Sequence, residues 1–111
     1  MLTPALKMLA DIATETHARI QKDFPTINPV VGVSRGMRAS GIPADAMTID
    51  CLQTHKRIIL ILHDDQPELV RYQFAFRDKD PAEEFNEIAL TTITTQLLYE
   101  WISAYFSANH S

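Results

Sequence analysis

Residues 56–78 read KRIILILHDDQPELVRYQFAFRD, and this stretch decides the fold that the sequence predicts. Residues 58–62 are an unbroken run of Ile and Leu, whose length and β-branched content favour a strand that is covered on both faces. Residues 70–76 instead alternate large apolar with mostly polar side chains, which is the period of a half-buried strand. Residues 64–67, DDQP, are typical of a turn, so the whole stretch predicts a β-hairpin.

Composition and length restrict the class of protein. The 111 residues predict one domain spanning 1–111, with an ordinary globular content of 46% hydrophobic and 22% charged residues. The net charge of −4 argues against nucleic acid or an anionic membrane surface as a partner. Cys51 is the single cysteine, and neither a signal-peptide pattern nor a run of about 20 apolar residues is visible. We therefore expect a cytoplasmic protein without a membrane segment.

The residues before the hairpin predict one helix and two strands. Thr3-Pro4 suits a helix start, apolar residues then recur at three- and four-residue steps, and Pro25 ends the pattern, so a helix is expected over about 4–23. A short apolar run over about 29–34 opens with a proline, which favours an edge strand. Alternation over about 46–53 predicts a second strand. The hairpin strands are expected over about 56–63 and 68–77.

A long C-terminal helix is expected over about 81–106. Asp80 suits an N-cap, Pro81 the first helical position and Glu83 a capping box, and apolar spacing continues across the threonines at 91–95. A break at those threonines is the alternative, because threonine is a poor helix former. One continuous helix would be about 39 Å long and could overhang a domain of this size. Its exposed end would then form a homodimer interface. The residues expected there are Trp101, Ile102, Tyr105 and Phe106.

The element order predicts an α+β domain, αββββα, with an antiparallel sheet of about four strands. Both helices are expected on the aromatic face of the sheet. The other face, which includes Ile59 and Ile61 or their neighbours in the other register, would meet a second subunit or line a groove. This order resembles that of small acidic chaperones of secretion systems and of acidic mitochondrial matrix proteins.

Two polar segments are candidate sites. Residues 34–45, SRGMRASGIPAD, carry Arg35, Arg38 and Ser40 beside two glycines, so this loop could hold an anion or a partner's carboxylate. The segment lacks the spacing of a phosphate-binding loop, and a plain mobile connection is the alternative. His63 and Asp65 could ligate a metal, although a simple turn explains them equally and no further ligand pair is evident.

Two functions from different classes follow. The first is a small oligomeric, non-catalytic protein-interaction or chaperone-like module that needs no cofactor, and its expected partners are a second copy of the chain and another protein. The second is a small enzyme or a protein that binds an anion or metal between the 34–45 loop and the 63–67 turn. A nucleophilic pair of Cys51 and His55 is not expected, because Cys51 falls on the apolar face of its strand and His55 beyond the strand end.

Overall fold

The computed structural model describes residues 3–107, which form one antiparallel sheet and two long helices. The helices are α1 (Pro4–Asp23), the short α2 (Gly36–Ala39) and α3 (Thr95–Ser107). The strands are β1 (Pro29–Ser34), β2 (Ala44–Cys51), β3 (Lys56–His63), β4 (Leu69–Phe76) and β5 (Asn86–Ala89). A single 3₁₀ turn, Leu90–Thr92, separates β5 from α3.

The sheet is a meander in the order β1-β2-β3-β4-β5, with every neighbouring pair antiparallel. The α+β class and the antiparallel sheet are therefore as predicted. The hairpin of residues 56–78 provides β3 and β4, and β3 is the central strand, with apolar side chains that are largely buried on both faces. The expected edge position of the strand opened by Pro29 is confirmed.

Helix α1 spans the expected residues because its ends are specified locally. The Thr3 hydroxyl accepts a hydrogen bond from Leu6 N at 3.2 Å, and Pro4 occupies the first turn, where its missing N–H costs nothing. The helix ends at Asp23, one residue before the Phe24–Pro25 pair. Five residues at three- and four-residue steps are buried against the sheet. They are Leu6, Leu9, Ala13, Thr16 and Ile20.

Both long helices lie on the aromatic face of the sheet, as the alternation of β4 predicts. The core between them comes from alternate residues of β2, β3 and β4, with α3 contributing Leu98, Ile102 and Phe106. Polar side chains tie α1 to α3, including a hydrogen bond of 2.6 Å from the Tyr99 hydroxyl to Asp23. None of the helices described is both long enough and apolar enough to cross a bilayer.

The predicted helix over 81–106 is wrong in its first half, and the sheet has five strands where about four were expected. Asn86–Ala89 pairs with β4 as a strand, and this pairing satisfies the hydrogen bonds of its backbone. The local sequence Asp80–Pro81, which is typical of a helix start, does not begin a helix here. The helix begins only at Thr95, where Thr94 Oγ1 accepts from Leu97 N at 3.1 Å. With 13 residues over Thr95–Ser107, α3 is about 20 Å long, about half the length on which the expected overhang depended.

Candidate functional site

An apolar groove lies between β4 and α3, on the helix-covered side of the sheet. Its volume is 410 Å³. The lining residues are Lys56, Phe74, Glu100, Trp101, Ala104 and Tyr105. Phe74 belongs to a strand and Trp101, Ala104 and Tyr105 to one face of α3, so the groove follows the seam between the sheet and the helix.

The aromatic rings of the groove hold one another in fixed orientations. Trp101 stacks on Tyr72 with centroids 4.6 Å apart and meets the edge of Phe74 at 5.5 Å. Phe74 in turn stacks on Tyr105 at 5.0 Å. Such contacts stabilise each pair by about 0.5–1.5 kcal/mol beyond simple burial. The rings therefore form a preorganised apolar surface, and Phe74 remains 43% exposed on it.

The polar groups around the groove already have partners. Lys56 Nζ donates to Tyr105 O at 3.0 Å and lies 4.9 Å from the Tyr105 ring centroid. The Tyr105 hydroxyl donates to Ala75 O at 2.8 Å, and burial raises the pKa of that hydroxyl. Glu100 accepts from Gln96 Nε2 at 3.0 Å. The lining contains no nucleophile held by a base, so this arrangement suits the binding of an apolar group.

An unpaired half of β4 adjoins the groove. Arg77 N donates to His55 O and Leu90 N donates to Glu68 O, both at 2.7 Å, which extends the ladders of β4 with β3 and with β5. Because backbone groups alternate in direction along a strand, the N–H and C=O of Phe74 and Phe76 point away from β3. β5 pairs only with residues from Leu69 to Tyr72 and ends before it reaches them.

The connection between β4 and β5 does not close this gap, because Gln73 draws it to the opposite face of the sheet. The Gln73 amide donates to Ala82 O at 3.1 Å and Glu84 O at 2.9 Å, and accepts from Ala82 N at 2.9 Å. Gln73 is 8% exposed, so the three bonds replace those that its amide would make to water. Among residues 3–107, no loop backbone group bonds to the backbone of Phe74 or Phe76.

The structure brings the two arginines of the predicted anion-binding loop onto carboxylates of the same chain. Arg38 donates to both oxygens of Asp45 and both oxygens of Asp64, at 2.9 to 3.1 Å. Arg35 Nε also donates to Asp45, at 3.3 Å. The hydrogen bonds from Arg38 lower the pKa of both carboxyl groups. This cluster ties the loop to β2 and the hairpin turn, and the carboxylates of Asp45 and Asp64 balance the positive charges of its two arginines.

The other predicted polar residues do not converge. Ser40 is exposed and ends α2, and Asp65 is exposed in the turn. His63 alternates with Ile61 and lines a separate cavity of 430 Å³ with Glu83 and Glu87. Within the described part of the chain, no three His, Cys, Asp or Glu side chains are grouped to hold a metal ion. Cys51 is buried, and His55 takes a left-handed turn conformation with φ 61°.

The residues predicted for an oligomer interface lie in three different settings. Ile102 and Phe106 are buried in the chain's own core, and Ile59 is almost fully buried within the single chain. Ile61 is half-buried in the cavity beside His63. Trp101 and Tyr105 line the groove and are half-buried. Of the predicted interface residues, only Trp101 and Tyr105 line the groove, and they pack against Tyr72 and Phe74 of the sheet where a protruding helix end was predicted.

Sequence reasoning did not identify Phe74, Lys56, Glu100 and Ala104 as neighbours of Trp101. The alternation of β4 does indicate that Phe74 shares a face with Tyr72, and helical spacing joins Trp101 to Ala104 and Tyr105. The missing information was where α3 begins, which sets the residues that face β4. No protein-family model matches the chain, and no curated protein or solved structure matches it significantly.

Proposed function

We propose that this protein is a non-catalytic protein-interaction module that binds an extended apolar segment of another protein. The observation that carries the proposal is the coincidence of an aromatic groove with the unpaired half of β4. A bound segment would add as a strand beside Phe74 and Phe76 and place an apolar side chain against Trp101 and Tyr105. This is recognition by strand addition, in which main-chain hydrogen bonds give affinity and side-chain pockets give specificity.

The charges near the groove favour a segment without a strong charge of its own. Lys56 and Glu100 flank the aromatic rings with opposite signs, and Lys79 Nζ lies 5.2 Å from the Phe76 ring centroid. A chaperone-like or adaptor-like role fits a site that binds apolar side chains and an extended backbone without requiring a particular sequence. A cytoplasmic location belongs to the same proposal, because the single cysteine suits a reducing compartment. The anion-binding alternative has less support, because Arg35 and Arg38 are paired internally.

Peptide titration tests the proposal, because Trp101 is the only tryptophan and its fluorescence reports on the groove. The probes are an eight-residue peptide with alternating Leu and Ser, the same peptide with alternate backbone nitrogens methylated, and one with every Leu replaced by Ser. We expect the first to bind with a micromolar Kd and a blue shift of the Trp101 emission. Loss of hydrogen-bond donors or of apolar side chains should weaken binding at least tenfold, about 1.4 kcal/mol.

A matched pair of variants locates the binding. Ala104→Arg places a long charged side chain in the groove from an exposed helix position, and Ala18→Arg makes the same change at an exposed position of α1. Peptide binding should be lost in the first variant and retained in the second. Equal affinity in both variants, or no peptide binding at millimolar concentration, would contradict the proposed function.

A further inference from the structure

Strand β1 forms the other edge of the sheet, and within residues 3–107 no other backbone pairs with its free side. Asp64 N donates to Pro43 O at 2.8 Å, which extends the β2–β3 ladder and sets the alternation of backbone groups along β2. In the register that pairs β1 with β2, the backbone N–H and C=O groups of Val30, Gly32 and Ser34 point toward β2. The N–H and C=O groups of Val31 and Val33 therefore point to the free edge.

Beyond its first residue, Pro29, the free edge lacks the usual protection against pairing with another chain. Exposed edge strands are commonly guarded by charged side chains, bulges or very short length. β1 has six residues, PVVGVS, and none of them is charged. Val30, Val31 and Val33 are all exposed, at 42%, 38% and 44%. An apolar edge of this kind is typical of a strand that pairs with another strand.

The neighbouring side of α1 indicates what kind of partner fits. Thr14 and His17 line a groove of 240 Å³ with Pro29 and Val31 of the edge. Helical spacing places Ala10 and Gln21 on the same side of α1, and the charged residue that shares this spacing is Lys7 near the start of the helix, which pairs with Asp11. The charged residues Glu15, Arg19 and Asp23 bond to α3 on the other side. A lone peptide strand would leave this side bare, whereas a second copy brings its own α1 against it.

We propose that two copies of this chain pair through β1, antiparallel, about a twofold axis at Gly32. In this register Val31 lies opposite the partner's Val33, so the two free N–H groups and two free C=O groups of each copy are all satisfied. Gly32 lies opposite its own copy at a non-hydrogen-bonded position, where Cα atoms approach to about 4.5 Å. The two sheets then form one continuous sheet of ten strands. This interface is separate from the groove and does not rest on the proposed function.

The neighbouring registers are less favourable for reasons visible in the chain. An axis at Val31 sets Val33 opposite the partner's Pro29, which has no N–H to donate. An axis at Val33 sets Val31 opposite the partner's Arg35, whose φ −110° and ψ 19° are not extended. The Gly32 register uses the N–H and C=O groups of both Val31 and Val33 and leaves only the outward carbonyl of Pro29 unpaired. Since strand and helix side together supply about ten residues per copy, against about 20–30 in a stable interface, we expect a reversible micromolar dimer.

Disulfide trapping tests the register. Cys51 is 2% exposed and does not compete, and a Cβ at Gly32 would lie 3.4 Å from Thr48 Oγ1 with nothing else within 4 Å. Gly32→Cys should cross-link rapidly in mild oxidant. Val30→Cys is the matched control, because its two copies would be four positions apart, about 13 Å, beyond the reach of a disulfide. Equal cross-linking of both variants, or none for Gly32→Cys, overturns the proposal.

Charge exchange provides a second test that does not depend on a single variant folding well. Val31→Lys with Val33→Lys sets Lys opposite Lys across the axis, and Val31→Glu with Val33→Glu does the same with Glu. Each double variant should sediment at the monomer mass of 12.6 kDa, and a mixture of the two should form a heterodimer. Wild-type protein that remains monomeric up to about 1 mM, or a mixture that stays monomeric, overturns the proposal.

Discussion

The guanidinium of Arg38 donates two hydrogen bonds to the carboxylate of Asp45, from Nε to Oδ1 at 3.1 Å and from Nη2 to Oδ2 at 3.0 Å. Asp45 is 1% exposed, so its charge depends on this partner and on Arg35. Arg38 also reaches Asp64, and one side chain thereby joins the α2 loop, strand β2 and the hairpin turn. The loop that reads as mobile in the sequence is held at one point by charge.

We expect Asp45→Asn to destabilise the protein. The substitution keeps the side chain's size but removes the negative charge that accepts from two arginines, and charged hydrogen bonds of this kind are worth about 1.5–3 kcal/mol. Urea unfolding at pH 7 measures the change in free energy of unfolding. Glu87→Gln is the control, because it alters an exposed pair with Arg71, where a change within about 1 kcal/mol is expected. An equal loss in both variants would contradict the role of burial.

The stability contributed by this cluster should disappear in acid. Arg38 lowers the pKa of the Asp45 carboxyl below its usual 3.8, and it lowers that of Asp64 in the same direction. A carboxyl whose pKa is lower in the folded than in the unfolded state stabilises above the unfolded pKa, and the effect is lost as the pH falls through the folded pKa. The difference in urea midpoint between wild type and Asp45→Asn should be constant from about pH 5 to 7 and shrink below about pH 4. A difference that grows in acid would refute this assignment.

Gln73→Leu should release the β4–β5 connection while leaving the sheet intact. The leucine has a similar volume but cannot bond to Ala82 and Glu84, which lose their partners on the outer face. Hydrogen exchange measures the effect, because the Ala82 amide should lose its protection while amides of β3 keep theirs. Gln66→Leu, at an exposed turn position, should leave the Ala82 amide unchanged. Retained protection at Ala82 in Gln73→Leu would show that other contacts hold this segment.

Gly41→Ala should destabilise the α2 loop. Gly41 has φ 94°, a conformation that residues with a side chain rarely adopt, and its substitution is expected to cost about 1–3 kcal/mol. Gly36 has no positive φ, and a Cβ there would meet only the Ser34 hydroxyl at 3.5 Å. Gly36→Ala should therefore be neutral or stabilising by up to about 1 kcal/mol. Thermal unfolding of the two variants compares them directly, and the reverse order of stability would contradict the backbone argument.

The fold was predictable where local signals and tertiary packing agree. The Thr3-Pro4 start and the Phe24-Pro25 end specify α1 without reference to the rest of the chain. The run over 58–62 and the alternation over 70–76 define the hairpin in the same way. Prediction failed over 81–94, because Asp80, Pro81 and Glu83 together imitate a helix start. Pairing of Asn86–Ala89 with β4 satisfies the backbone better than an exposed helical turn would, and only the neighbouring strand supplies that choice.

The candidate site was predictable only in part. The sequence predicts Trp101 and Tyr105 as part of an exposed helix end at a homodimer interface, whereas the surface they share with Phe74 depends on how α3 packs on β4. The sequence predicts Arg35 and Arg38 as ligands of an anion or of a partner's carboxylate, and Asp64 lies between the predicted metal residues His63 and Asp65. The pairing of the two arginines with Asp45 and Asp64 joins positions up to 26 apart, as between Arg38 and Asp64, and no local pattern encodes such a contact.

By itself, the sequence determined the α+β class, the antiparallel hairpin, the bounds of α1 and the edge position of β1. These features follow from apolar period, prolines and caps, which act within a few residues. The tertiary structure alone decided that 86–89 becomes a strand, that Gln73 draws the following loop across the outer face, and that Phe74 remains exposed beside Trp101. Each of these depends on groups far apart in the chain competing for the same hydrogen bonds and the same buried surface.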